Sequence, residues 1–466
     1  MRPWPTRFLL LLVPVWSLLF NGCKEPSAKH RTPSVAKGEL NLGAWDLAAE
    51  PVRLVGEWRV RFADVDGAAR PNFADHTWEL RNVVGHWQTT GLSYDGVAWY
   101  RLHIQMSSGQ TDDAEPLALY LPFIDAASEI YWNGRLIGSA GRIGADGILV
   151  RPGARIDIYP LQPQDLSESN VLAIRMRSID TMGGISKSEL LLGTYAGVRQ
   201  RFEFQLIEAA MVAFAALAIA IYHFAVFLLR RQDRYNLYFA LCALTAAQFI
   251  MGWNAVGTRL WDNFYWNLYL IQSAVISNGI LSLLFFQNML GFRHIQTRIG
   301  FGTVTAALGI WFFAGLALGG RILGSYMAIG MPVGFVLNFA AGIIIVILAA
   351  RAVLLRVAHS AIVSLGLIFF FIGLGNDIIQ YFTSSSGPSL HLYGYLALTL
   401  SMATAIARRN AQAHSTAEDL SESLEKKVAS RTAEIENLAE ISRRINETTD
   451  LDIIFEKIFQ HLQTEY

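Results

Sequence analysis

Residues 326–350 read YMAIGMPVGFVLNFAAGIIIVILAA. The stretch carries no charge, and its apolar residues run on without the alternation of a half-buried strand. About 20 such residues cross roughly 30 Å of hydrocarbon as a helix. Comparable runs occupy 205–229, 237–256, 266–290, 299–318, 360–382 and 390–407. In lipid only helices and closed barrels satisfy the backbone internally. Residues 204–407 are therefore expected to form a seven-helix transmembrane bundle.

These runs account for the composition of the whole chain. Of 466 residues 53% are hydrophobic and only 16% charged, against about 25% charged in soluble chains. Lys+Arg and Asp+Glu balance at 38 each, which argues against a nucleic-acid binder working by bulk phosphate attraction. Two cysteines, Cys23 and Cys242, are too few for a disulfide scaffold.

Arg2 and Arg7 precede an apolar run from Phe8 to Phe20, the pattern of an export signal over 1–22. Leu19-Phe20-Asn21-Gly22-Cys23 resembles a bacterial lipobox, which implies lipidation of Cys23. An ordinary signal peptide, or an uncleaved anchor, with Cys23 incidental is the alternative. Residues 23–45 are polar and Pro-punctuated and read as a linker.

Orientation follows from the arginines. If the chain enters the first span from outside, the inner connections hold Arg230, Arg231, Arg234, Arg293, Arg298, Arg351, Arg356, Arg408 and Arg409. The outer ones hold Arg199, Arg201, Arg259 and Arg321. The excess inside fits the positive-inside rule, so the C-terminus is expected to be cytoplasmic.

Residues 46–195 change texture to short alternating runs with turn signals, which predicts an all-β sandwich. In VAWYRLHIQM (97–106), Ala98, Tyr100, Leu102, Ile104 and Met106 share one face, expected buried, and Trp99, Arg101, His103 and Gln105 the other, expected wet. Asn133-Gly134 between IYW and RLIG predicts a type I′ hairpin.

The order GEWRVRF, VVGHWQTTG, VAWYRLHI, EIYWNGRLIGSAGRIG, NVLAIRMRSIDTMGGI resembles the galactose-binding-like jelly roll. That fold forms sugar-binding domains of glycoside hydrolases and the exterior of some bacterial seven-helix receptors. The resemblance implies an extracytoplasmic ligand-binding domain for a small molecule or carbohydrate. Trp87 and Trp99, read as exposed, would stack on it, and Arg101 and Asn133 would hydrogen-bond it. Trp87 as a core residue and Asn133 as a turn former stay open beside that reading. Asp125 and Glu129 have no partner that the sequence identifies for glycosidase chemistry.

Few polar residues interrupt the spans: Glu208, His223, Asn278, Asn338 and the pair Asn376-Asp377. Intramembrane ionisable groups are functional candidates, so Asp377, with Asn376, is the candidate switch; plain interhelical bonding is the alternative. The spans contain no lysine for a retinal Schiff base. A transporter would show internal repeats and more charge at mid-depth.

After Arg409 the chain is polar and helical over 408–446, with apolar residues at Ala417, Leu420, Leu424, Val428, Ile435, Leu438, Ile441 and Ile445. Steps of three and four predict a C-terminal coiled-coil helix, which implies a homodimer, with a monomeric amphipathic helix as the alternative. LEKKVASRTAEIENL resembles linker helices that join bacterial membrane sensors to their outputs. Residues 437–466 resemble the start of a GAF domain, truncated, with Thr449 or Asp450 capping its second helix.

The whole order resembles the bacterial seven-transmembrane receptors with diverse intracellular signalling modules. Membership implies a multi-pass protein of the bacterial inner membrane, in contact with membrane lipid. It would sense an extracytoplasmic ligand and pass the signal to a cytoplasmic output domain or protein. No catalytic motif, metal cluster, cofactor site or nucleic-acid surface is legible, so the stretch is expected to be no enzyme itself. A membrane-bound cyclase or histidine kinase whose catalytic domain lies elsewhere is the alternative.

Overall fold

The computed structural model describes residues 33–464 except 84, 88–91, 93, 109, 111–114, 122–123, 125–126, 154, 179–182, 186–189, 262, 293–294, 319–324, 384–389 and 449–450. The export signal with Cys23, and Asp125, Thr449 and Asp450, lie outside these residues. The chain forms two compact units, one of 1–220, 241–282 and 294–341, the other of 221–240, 283–293 and 342–466.

The first unit holds a β-sandwich. Its larger sheet runs, edge to edge, through strands Glu79–Val83, Gly56–Arg61, Val97–Gln105, Ser169–Arg177, Ala127–Trp132 and Arg135–Ala140. The smaller runs through Asp157–Pro160, Leu117–Leu121, Leu191–Thr194 and Val52–Arg53. One core joins them: Trp58, Leu102, Ile130, Trp132, Leu172 and Ile174 from the larger sheet meet Val52, Leu119, Leu121 and Leu192 from the smaller. Asn133 and Gly134 both take positive φ, 50° and 85°, as the predicted hairpin requires.

Two expectations are corrected here. Residues 23–45 are not all linker: Glu39–Asn41 pairs in parallel with His103–Gln105, and Val35, Leu40 and Leu42 enter the core. The alternation of Leu40 and Leu42 gives this short strand its buried face. The second face of Val97–Gln105 is wet only at its far end: Trp99 and Arg101 are buried, His103 is half-buried and Gln105 is exposed. Val97 and Trp99 pack beneath Ala68 and Trp78 in a second cluster, because residues 64–78 fold over this side of the sheet.

Among the described residues, nine α-helices follow: α1 Tyr195–Leu229, α2 Arg234–Trp253, α3 Ala255–Leu260, α4 Phe264–Met289, α5 Ile295–Leu318, α6 Met331–Leu354, α7 Ser360–Thr383, α8 His391–Thr448 and α9 Leu451–Thr464. A π-helical turn, Tyr326–Gly330, precedes α6. Among the described residues, six helices are long and apolar enough to cross a membrane: α1, α2, α4, α5, α6 and α7. The expected seventh span, 390–407, is helical as the start of α8 but is not one of the six. His391, Gly394, Thr399, Ser401 and Thr404 dilute its apolar run.

Within the second unit, α7 and α8 pack through glycines. A Cβ at Gly366 would lie 3.1 Å from Leu398 Cα, and one at Gly394 3.0 Å from Phe370 Cα. Small residues let helix backbones approach this closely, which is how apolar helices associate where no hydrophobic drive separates lipid from protein.

Candidate functional site

The side chains proposed from sequence to face a ligand are mostly interior. Trp87 is 3% exposed, and its indole N–H donates to Tyr100 Oη at 2.6 Å. Trp99 is 4% exposed and donates to Asp64 Oδ1 at 3.2 Å. The expectation that both rings are exposed is thereby corrected: each sits on a strand or loop covered by a second layer. Asn133 is a turn residue that also bonds inward, its Nδ2 donating to Asp165 O at 2.7 Å and Asn170 Oδ1 at 2.9 Å.

Arg101 is fully buried. Its Nε donates to Asp75 Oδ2 at 2.7 Å, and its Nη1 reaches the carbonyl oxygens of Ala68 and Arg70. Asp75 also receives Arg59 Nη1 at 2.6 Å and pairs with His103 Nε2 at 2.8 Å. Burial acts to raise the Asp75 carboxyl, but hydrogen bonds from His103 and Arg101 and their charges hold it well below the usual carboxylate range. Arg101 thus ties residues 68–75 to the sheet.

A second network lies on the same face. Arg175 Nε donates to Asp64 Oδ1 at 3.0 Å, and its Nη1 to Glu129 Oε2 at 3.1 Å. Tyr131 Oη donates to Glu129 Oε2 at 2.8 Å. Burial, then Glu129, push the Tyr131 hydroxyl up to about 12. Around Trp87 the aromatic neighbours are only partly covered. Phe62 and Tyr94 lie 5.4 and 5.6 Å from its ring by centroid, and both are half-buried. These two rings were not singled out from sequence, because no periodic pattern links them.

A joint connects the sandwich to α1. Strand Leu191–Thr194 runs directly into Tyr195, the first helical residue. The outer face of the smaller sheet, Tyr120, Ile156 and Leu191, shares a core with Val198 and Phe202 of α1. Tyr120 Oη donates to Gln205 Oε1 at 3.3 Å. From α3, Arg259 Nη2 donates to Asp157 Oδ1 at 2.9 Å, and its guanidinium lies 5.2 Å from the Phe202 ring centre. At 35 residues and about 1.5 Å per residue, α1 exceeds the thickness of a bilayer core. Its first turns therefore serve the joint.

Asp377 and Asn376 sit together, Asn376 Nδ2 donating to Asp377 Oδ1 at 2.9 Å. Asp377 accepts the backbone N–H groups of Leu390 at 2.8 Å and His391 at 3.3 Å, and pairs with His391 Nδ1. It caps α8 from another helix, satisfying amides that every helix start leaves open. Other in-span polar groups bond between helices: Asn338 Nδ2 donates to Val275 O at 2.7 Å, and His223 Nδ1 lies 3.0 Å from Asn236 Oδ1. On α8 the apolar stripe is bare, with Leu420, Leu424, Val428, Ile435, Leu438 and Ile441 all exposed; the Ile445 side chain lies outside the described ones. Among the described residues, no group of three His, Cys, Asp or Glu side chains is placed to hold a metal.

The fold and these sites define a protein with a β-sandwich, a set of helices able to span a membrane, and a long polar helix. No family pattern and no characterised protein matches the sequence. Solved structures similar to part of the chain include Bacteroides uniformis β-glucuronidase 2 covalently bound to cyclophellitol-6-carboxylate aziridine (20% identity, 31% of this chain and 17% of that chain, TM-score 0.26). A β-glycosidase from Bacteroides vulgatus is similar at 20% identity, over 31% of this chain and 20% of that one, with TM-score 0.25. Bifidobacterium dentium β-glucuronidase complexed with coumarin-3-O-glucuronide follows at 18% identity, 28% and 20% coverage and TM-score 0.22. The chain spans no more than a fifth of the length of any of these structures.

Proposed function

We propose that the chain is a transmembrane signal-transduction receptor of the bacterial inner membrane. Its sandwich faces outside, binds a polar, carbohydrate-like ligand and passes the event through seven spans to a cytoplasmic output. The observation that carries this reading is the joint: a β domain tethered only to be held at a membrane needs no shared core with the first helix. Here Tyr120, Ile156 and Leu191 pack on Val198 and Phe202. A shift in the smaller sheet is therefore a shift of α1. The excess of arginine on one side of the spans supports the orientation.

At the far end, α8 continues from its packing with α7 into an exposed stripe spaced for a parallel partner helix. Dimerisation through this stripe would turn a movement of α8 into a change of register. The ligand moves the equilibrium only by its differential affinity for two packings. The partly covered rings of Phe62 and Tyr94 are the platform we assign to the ligand.

The test uses the full chain in lipid nanodiscs, a panel of neutral and acidic mono- and disaccharides, and disulfide trapping at Leu438→Cys. A sugar that raises the melting temperature and changes the trapping rate, with both effects lost in Tyr94→Ala, supports the reading. Reporter fusions placing the sandwich and α8 in the same compartment would overturn it.

A further inference from the structure

α8 is held by two other helices of its own unit, α2 and α4, and by His359 just ahead of α7, at the residues where it emerges. Ala405 and Ile406 are fully buried, whereas every residue from Ala411 to Ala439 is exposed. The change falls at Arg409 and Asn410. Tyr235, in the first turn of α2 and 6% exposed, donates its hydroxyl to Asn410 Oδ1 at 2.8 Å. The Arg409 guanidinium lies 4.6 Å from the Tyr235 ring centre. Its Nη1 donates to Met289 O at 3.2 Å, a carbonyl of the last turn of α4, where helix ends leave acceptors open. One turn further on, His359 Nε2 lies 3.0 Å from Gln412 Oε1, just before α7.

We propose that Tyr235, Arg409 and Asn410, with the Met289 carbonyl, form a collar that holds α8 in one seat and one rotation as it leaves the bundle. Arg409 and Tyr235 are positioning residues. The guanidinium lies over the ring while its Nη1 caps α4, a pair of contacts that a single ammonium point charge does not make together. The Tyr235 hydroxyl fixes the next residue of the helix, so rotation of α8 breaks contacts to two helices together. Arg408, the adjacent residue, is exposed and makes none of these contacts; a general need for positive charge at this membrane edge would be met by either arginine. If the chain is the receptor proposed above, the collar is where repacking of the helices becomes rotation of the rod. The collar's geometry does not depend on that reading.

Hydrogen exchange measured by mass spectrometry on the full chain in nanodiscs tests the collar. Arg409→Ala is expected to speed exchange over 403–412 at least tenfold, and Tyr235→Phe about threefold. Peptides from 270–280 and Arg408→Ala should match the wild type. If Arg409→Ala fails to fold, Arg409→Lys decides, with acceleration expected because stacking and cap are lost while charge is kept. Unchanged exchange in the Arg409 variant, or equal acceleration by Arg408→Ala, overturns the proposal. A collar that passes this test in a protein with no sugar response would sink the receptor reading alone.

Discussion

Arg101 Nε donates to Asp75 Oδ2 at 2.7 Å, with the arginine side chain wholly buried and the aspartate 3% exposed. Removing one partner of such a pair leaves a buried charge uncompensated, which costs about 3–5 kcal/mol. Asp75→Asn should therefore destabilise the sandwich by about that much, while Asp75→Leu with Arg101→Met should cost less than Asp75→Asn alone. Chemical unfolding followed through tryptophan fluorescence, which reports Trp58, Trp99 and Trp132, measures both.

The same contact sets a pH response. The Asp75 carboxyl lies below its ordinary value in the folded chain, so the unfolded chain takes up its proton first as pH falls. The stability it contributes is complete above the unfolded value near 4 and declines below it. The unfolding midpoint should lose no Asp75 contribution between pH 7 and 5, then drop toward pH 3. Asp75→Asn should flatten that drop.

At the joint, Phe202 is 6% exposed and lies against both Tyr120 and Arg259. Emptying such a site costs about 3–5 kcal/mol. Phe202→Ala should loosen the sandwich from α1 without unfolding either. Exchange at 191–206 should rise while that at 97–105 stays unchanged. Arg259→Ala, which breaks a half-exposed ion pair to Asp157, should give a smaller effect in the same direction.

How legible these features were depends on the range of the contacts. Six of the seven expected long apolar helices showed because a continuous run of this length follows one rule, and Asn133-Gly134 showed because its turn needs positive φ at neighbouring residues. The strand at Glu39–Asn41 was hidden in a polar stretch, since its partner His103 lies far along the chain. Trp99 read as wet because alternation assigns faces but cannot reveal that residues 64–78 return to cover one. The cap of α8 by Asp377 was half legible: the lone carboxylate stood out, but its target 13 residues further on did not. The start of α1 at Tyr195 was missed because Arg199, Arg201 and Glu203 mask an amphipathic face, with Arg199 and Glu203 paired at 2.7 Å.

Gly366 marks one close seat of α7 on α8. A Cβ there would fall within 2.6 Å of Ser401 Cβ and 3.1 Å of Leu398 Cα, a backbone atom that cannot swing aside. Gly366→Val should separate the helices and lower the melting temperature of the chain in nanodiscs. Gly375→Ala, on the same helix where a Cβ meets nothing within 4 Å, should not. Equal effects would mean that helix propensity, not approach, governs both sites.

Asp377 offers α8 two different things, a hydrogen-bond acceptor for the amides of Leu390 and His391 and a negative charge beside the His391 ring. The two can be separated. Asparagine caps a helix about as well as aspartate, and losing a cap to alanine costs about 1 kcal/mol. A carboxylate at a helix start gains a further contribution from the dipole, typically about 0.3–1 kcal/mol. If capping dominates, Asp377→Asn should keep more than half of the exchange protection over 390–396, and Asp377→Ala should lose nearly all of it. Asp377→Asn behaving like Asp377→Ala at neutral pH would assign the contact to charge pairing with His391 instead. We expect the first outcome, because two backbone amides converge on the carboxylate and only one ring does.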